Sequence, residues 1–361
     1  MNLSRITLTW LLGFVVFGLL LHLFSPILLP FVTGLLVAYF LDPVVERLSR
    51  AKMNRSLATS LVLVFFFLCF GAGLVLLTPL VEAQLLDLAR KLPDVMRVLQ
   101  ERLGSVLVRV SSELSPADLE RLKGAVGGFA GDALKLAGGL LASIWSGGIA
   151  LLNLISLIVI TPIVAFYLLR DWDKILTTTK GWLPRQHGET IQALVNEADD
   201  MIAGFVRGMG LVCLILAAFY GVTLSLVGLE FGLVIGLFAG LLSFVPFVGA
   251  IGGFVVAVGM ACAQFGDWQP IAIVAAIFVV GQIGEGNFLT PKLVGHRIQL
   301  HPVWIIFALL AGGVLLGFVG VLLAVPLAAV IGVLVRFGVH QYLKSPLYLG
   351  ASSKPGEDGG P

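Results

Sequence analysis

Charged side chains are scarce in this sequence. Asp, Glu, Lys and Arg make up 12% of its 361 residues, where a soluble domain carries about 25%. Apolar residues make up 58%. So few charges cannot coat a water-facing surface of this size, which excludes the pair of soluble domains that the length alone suggests. Lipid is the solvent for most of the chain. The net charge is only +2 and no basic patch exists, so nothing points to nucleic acid and none is expected as a partner. Cysteine is rare as well: Cys69, Cys213 and Cys262 all lie in apolar runs without CxxC spacing. That pattern supports neither a disulfide framework nor a zinc site, and reads as small buried residues. HExxH, GxSxG and Walker signatures are missing, so no enzyme, cofactor or ATP-hydrolysing site is expected. Any energy source is an ion gradient, the solute's own gradient, or a partner.

Long apolar runs are what the sequence does have. They extend over Ile6–Phe24, Pro26–Leu41, Leu57–Leu80, Ile149–Leu169, Gly208–Gly228, Phe231–Gln264, Ile271–Phe288 and Pro302–Val335. The first resembles a signal peptide in length, but no small-x-small cleavage site follows it, so it is expected to be retained. Two runs, Phe231–Gln264 and Pro302–Val335, would each be about 51 Å long as a straight helix, against about 30 Å of hydrocarbon. Each breaks in its middle, at Ser243-Phe-Val-Pro-Phe-Val-Gly249 and at Gly317-Phe-Val-Gly320. Proline removes a donor and glycine permits a turn, so both are expected to be helical hairpins, re-entrant or fully spanning. Pro246, Gly249, Gly317 and Gly320 are their expected hinges.

The basic residues test this scheme through the positive-inside rule. With the N-terminus cytoplasmic and each hairpin returning to its own side, Arg47, Arg50, Lys52, Arg55, Arg170, Lys174, Lys180, Arg185, Arg207, Lys292, Arg297, Arg336, Lys344 and Lys354 all fall inside. The short outer connections carry only Glu230 and Asp267. Trp10, Trp145, Trp172, Trp182, Trp268 and Trp304 sit at run ends, where an aromatic belt belongs. The expected class is therefore an all-α, polytopic integral membrane protein with about six full crossings and two hairpins. Its parts are N-terminal membrane helices (1–80), an extramembrane amphipathic helical region (81–148), a membrane core (149–340) and a polar cytoplasmic tail (341–361).

The outer region holds eight basic and eight acidic residues, with Leu85, Leu88, Leu92, Val95 and Leu99 at helical spacing. Ser115-Pro116-Ala117-Asp118 marks a second helix start, and the glycine-rich end from Gly124 to Gly148 suits close packing or an interface. In the second half, a crossing and a hairpin are followed by another crossing and hairpin of opposite sense. Inverted repeats with broken helices are how many secondary transporters build a site near the bilayer midplane.

One acidic residue lies well inside an apolar run: Glu285, in Gly281-Gln-Ile-Gly-Glu-Gly-Asn-Phe-Leu-Thr-Pro291. Gln282 is one helical turn before it, Asn287 and Thr290 follow, and Pro291 is expected to end the helix. An ionisable group at membrane depth is costly and by default functional. Glu285 can bind a proton, a cation or a polar solute, with Gln282, Asn287 and Thr290 completing the site; the alternative is an ion pair with Lys292 or Arg297. Thr161-Pro162 should kink the fourth run. The acidic face Glu197, Asp199 and Asp200 should be solvated, and His22 and His340 should be unremarkable interface residues.

Several of these residues carry a resemblance. Gln282, Glu285, Asn287, Leu289, Pro291, Gly295, Leu300-His301-Pro302, Gly312-Gly313, Gly317, Gly320 and Ala324-Val325-Pro326 resemble the autoinducer-2 exporter family of bacterial membrane proteins. Phe166-Tyr-Leu-Leu-Arg-Asp171, Val245-Pro-Phe-Val-Gly249 and Val206-Arg-Gly208 are similar to further segments of that family. Met209 departs from the glutamine common there. The resemblance implies a multi-pass inner-membrane permease that exports a small quorum-sensing signal or another small solute. It also implies a homo-oligomer, a pentamer being one form. Pro291, Gly295 and Pro326 complete the set of expected hinges. Sodium/proton antiport in some relatives gives a second reading, in which Glu285 carries the proton. A third is a non-transporting membrane scaffold.

Overall fold

In lipid, an unpaired backbone has only itself to bond with, so long apolar runs must become helices. The computed structural model describes residues 12–13, 16, 18–110, 128, 148–183, 188–295 and 301–349, and every regular element among them is helical. These are α1 (Ser25–Arg50), α2 (Arg55–Val110), α3 (Gly148–Trp182), α4 (Gly188–Leu226), α5 (Gly232–Leu242), α6 (Val248–Gln264), α7 (Trp268–Gly284, continued to Val294), α8 (Pro302–Leu343) and the short α9 (Pro346–Leu349). Six are long and apolar enough to cross a membrane: α1, α2, α3, α4, α7 and α8. Five of them match the expected single crossings from the second run onward. The start of the first run with Trp10, Trp145, the helix start at Ser115, most of the glycine-rich stretch 124–148, Arg297 and the tail beyond 349 lie outside the described residues.

The sixth, α8, is an expected hairpin. Its 42 residues would reach about 63 Å if straight. Gly317 interrupts it with φ 61 and ψ −140, a conformation essentially restricted to glycine. Gly312 and Gly320 then meet: a methyl group at Gly312 would lie 2.5 Å from the Gly320 carbonyl oxygen. Eight residues along a straight helix span about 12 Å, so this contact requires the fold-back. The other hairpin is α5 and α6 with the tip 243–247 between them.

The division expected at residue 80/81 falls within one continuous helix: α2 runs for 56 residues, about 84 Å. Only Arg55–Pro79 is apolar enough to cross. The change at 80 is one of polarity, and the Leu, Ala, Glu, Gln, Arg and Lys residues that follow are all good helix formers.

The chain forms two compact units: Met1–Val32 with Asp171–Val206 and Gly295–Pro361, and Thr33–Arg170 with Arg207–Val294. In the second unit, α1, α2 and α3 meet through Ala38, Leu41 and Val45, through Ala58, Val62 and Leu63, and through Ala165 and Leu169. The three- and four-residue spacings put each set on one helix face. Gly34 lets α1 press on α3, since a Cβ there would sit 2.8 Å from that of Val164. At the basic end of these helices, Arg207 donates to the Tyr39 carbonyl (2.8 Å) and to Asp42 (3.0 Å), and Arg55 donates to the Leu169 carbonyl (2.9 Å). Both arginines thereby satisfy carbonyls and a carboxylate that a low-dielectric setting would otherwise leave unpaired.

Within the same unit α5 lies on α4 through glycines spaced by four: Gly232 meets Leu224, Gly236 meets Tyr220 and Gly221, and Gly240 meets Leu216 and Ala217. Small residues at this spacing let two backbones touch, which is how helices associate when lipid is as apolar as they are. Phe231 and Phe247 start α5 and α6 in left-handed conformations, with φ 61 and 69. For a residue with a Cβ that costs about 1–2 kcal/mol. Phe231 is buried and so regains part of it through packing. The polar continuation of α2 closes this entrance to the hairpin: Lys91 pairs with Glu230 (2.9 Å), and the Val234 N–H donates to Gln84 (3.4 Å). Gln264 joins the two ends of the hairpin by accepting from the Glu230 N–H and donating to the Gly228 carbonyl, both at 2.8 Å.

In the first unit, His301 caps α8 by accepting from the Val303 N–H at 3.3 Å, with Pro302 at the first helical position. His22 is more than an interface residue there. Its Nδ1 donates to the Leu315 carbonyl at 2.6 Å, just before the break at Gly317, where the helix no longer supplies a donor. Glu197, on the acidic face of α4, pairs with Arg336 at 3.0 Å.

Candidate functional site

The site forms where α7 changes pitch. From Glu285 to Val294 the helix widens to π-type i→i+5 hydrogen bonding, and it passes through Pro291 instead of stopping there. Proline lacks the N–H that the normal ladder requires and clashes with the carbonyl four residues back. A wider turn moves that carbonyl away. The element ends one turn later than expected, at Gly295, whose φ of 72 suits a glycine. On α4, Gly208 leaves room for this wide turn: a Cβ there would lie 2.5 Å from the Leu293 carbonyl oxygen and 2.8 Å from the Val294 Cα. The Arg207-Gly208 pair therefore has two roles, the arginine locking α4 to α1 and the glycine seating the end of α7.

Glu285 stands at the start of the wide turn, half-buried. Gln282 donates to its carboxylate at 3.2 Å. Among the described residues Glu285 makes no ion pair, and Lys292, one of the two expected partners, is exposed. Thr290 is half-buried and follows Glu285 by five residues, one π turn, which keeps it on the same face. Asn287 is exposed and two residues on, so it points elsewhere. Of the four expected binding residues, the fold brings Gln282 and Glu285 into contact, aligns Thr290 with them and leaves Asn287 apart.

The expected hinges fall into three kinds. Gly317 and Gly295 hold conformations that need glycine. Gly249 and Gly320 are buried contact points, against the Ser243 and Ala239 backbone and against Gly312 respectively. Pro246 lies in the first tip, where Ser243 donates to the Ala239 carbonyl at 2.9 Å. Pro291 and Pro326 are accommodated inside continuous helix; Pro326 is buried in α8, whose non-helical residue is Gly317. Sequence reasoning missed Tyr220, buried on α4 against Phe278 and Gly281 of α7.

These features define a multi-pass α-helical membrane protein with broken hairpins and a carboxylate within a helix long and apolar enough to cross, the class to which transporters and permeases belong. The chain belongs to the AI-2E transporter family: the model for "AI-2E family transporter" matches residues 9–340. It is 29% identical to the "Putative transport protein YrrI" of Bacillus subtilis, over 91% of this chain and 93% of that one. Likewise it is 27% identical to the "Putative permease PerM" of Escherichia coli, over 87% and 88% of the two chains. The "AI-2 transport protein TqsA" of Escherichia coli is 24% identical, over 85% of each.

Proposed function

We propose that this protein is a secondary transporter of the inner membrane that exports a small polar solute of the AI-2 kind by alternating access. Its termini are cytoplasmic and it works as a homo-oligomer. The observation that carries the reading is Glu285: a half-buried carboxylate within a membrane-spanning helix, held by Gln282 and by no ion pair among the described residues. Such a group is expensive to keep unless it binds what crosses. The wide turn around it supports the same reading, because backbone carbonyls freed from the α-helical ladder can coordinate a solute or cation. The inward distribution of Lys and Arg supports the orientation, and the name of TqsA supports the choice of solute.

Sodium/proton exchange is the second reading, favoured by the same unpaired carboxylate. Proteoliposomes made with the full chain separate the two. Wild-type protein should release preloaded AI-2 faster than empty liposomes. Proton movement driven by a sodium gradient, with no AI-2 flux, replaces export with antiport. Flux of neither probe favours a scaffold.

A further inference from the structure

Tyr220, on α4, is fully buried, yet among the described residues its hydroxyl has no hydrogen-bond partner. The ring stacks on Phe278 of α7, with centroids 4.6 Å apart and planes 17° from parallel. It also covers Gly281, where an added Cβ would sit 2.5 Å from the ring. An unpaired buried hydroxyl costs about 1–3 kcal/mol. Phenylalanine would fill the same stack without that cost, so packing does not account for a tyrosine here. Gly281 precedes Glu285 by four residues, which puts the hydroxyl about one turn from the carboxylate on the same face of α7. Glu285 thus has Gln282 beside it on its own helix and Tyr220 of α4 against the preceding turn.

We propose that Tyr220 is a positioning residue for the Glu285 site, whose O–H donates to the carboxylate in the conformer where Gln282 has released it. Among the described residues the hydroxyl is unpaired while Gln282 holds the carboxylate. The inference rests on the reading of Glu285 as the group that binds what is transported. It adds that the carboxylate has two stations, one on α7 and one on α4.

Full-length Tyr220→Phe, Glu285→Gln and the double variant, reconstituted beside wild type, test this with AI-2 and sodium as probes. Phenylalanine keeps the ring stack and removes only the hydroxyl. The expected result for Tyr220→Phe is a midpoint of thermal unfolding equal to or above wild type, with flux reduced tenfold or more. The double variant should be no worse than Glu285→Gln, because the two groups act as one unit. Wild-type flux in Tyr220→Phe with lost flux in Glu285→Gln overturns the role of Tyr220 and leaves that of Glu285 standing. Wild-type flux in both variants overturns the Glu285 reading itself. Lower thermal stability in Tyr220→Phe, with flux falling only in step with folded protein, makes the hydroxyl structural and overturns the proposal.

Discussion

Replacing Gly236 by alanine adds one methyl group at a close crossing of α4 and α5. The added carbon would lie 2.5 Å from the Gly221 Cα, with the Tyr220 and Gly221 backbone around it. Ordinary carbon contacts need about 3.5–4.0 Å, so the helices must separate by about 1 Å or more. Backbone cannot rotate aside as a flexible side chain can. Overpacking of this kind costs about 1–3 kcal/mol, while alanine regains up to about 1 kcal/mol of helix propensity over glycine. The net expectation is a destabilisation of about 1–2 kcal/mol. Gly252 on α6 is the internal control, because nothing lies within 4 Å of its added carbon. Gly252→Ala should be neutral or stabilising by up to about 1 kcal/mol. Thermal unfolding of the purified variants in detergent reads both signs. A Gly236→Ala protein as stable as Gly252→Ala would refute the close crossing of α4 and α5.

Gly317→Ala should destabilise by about 1–3 kcal/mol although nothing crowds the site, because the cost is conformational. Thermal unfolding checks it, and an unchanged midpoint means that α8 is not folded back there. Arg207→Ala removes charge-assisted bonds to Tyr39 and Asp42 and should cost about 1.5–3 kcal/mol, read by the same assay. Arg207→Lys should recover only part of that loss, since an ammonium lacks the fork that reaches both oxygens at once.

Much of the fold was legible because lipid leaves few options. Run lengths, basic residues and the breaks at 243–249 and 317–320 were enough for the crossings after the first run and for both hairpins. The continuity of α2 past residue 80 was not legible, because hydropathy reports the solvent and not whether the backbone is helical. Pro291 misled for a related reason: it stops an α-helix, but a π turn has room for it, and no sequence period announces a π turn. Left-handed Phe231 and Phe247 could not be foreseen, since only surrounding packing holds a bulky residue there. At the site, Glu285 and Gln282 were visible as rare polar groups in an apolar run. Tyr220 was not, because tyrosine in such a run reads as one more aromatic until its hydroxyl is found buried without a partner.

Flux through proteoliposomes carrying wild-type protein or Glu285→Gln tests the central claim most directly. Glutamine keeps the size and the hydrogen bonding with Gln282 but carries no charge and exchanges no proton. The account predicts that AI-2 or sodium-coupled flux falls more than tenfold, at least about 1.4 kcal/mol of lost stabilisation in the transport step, while the protein stays folded. Undiminished flux of both probes through Glu285→Gln would contradict it.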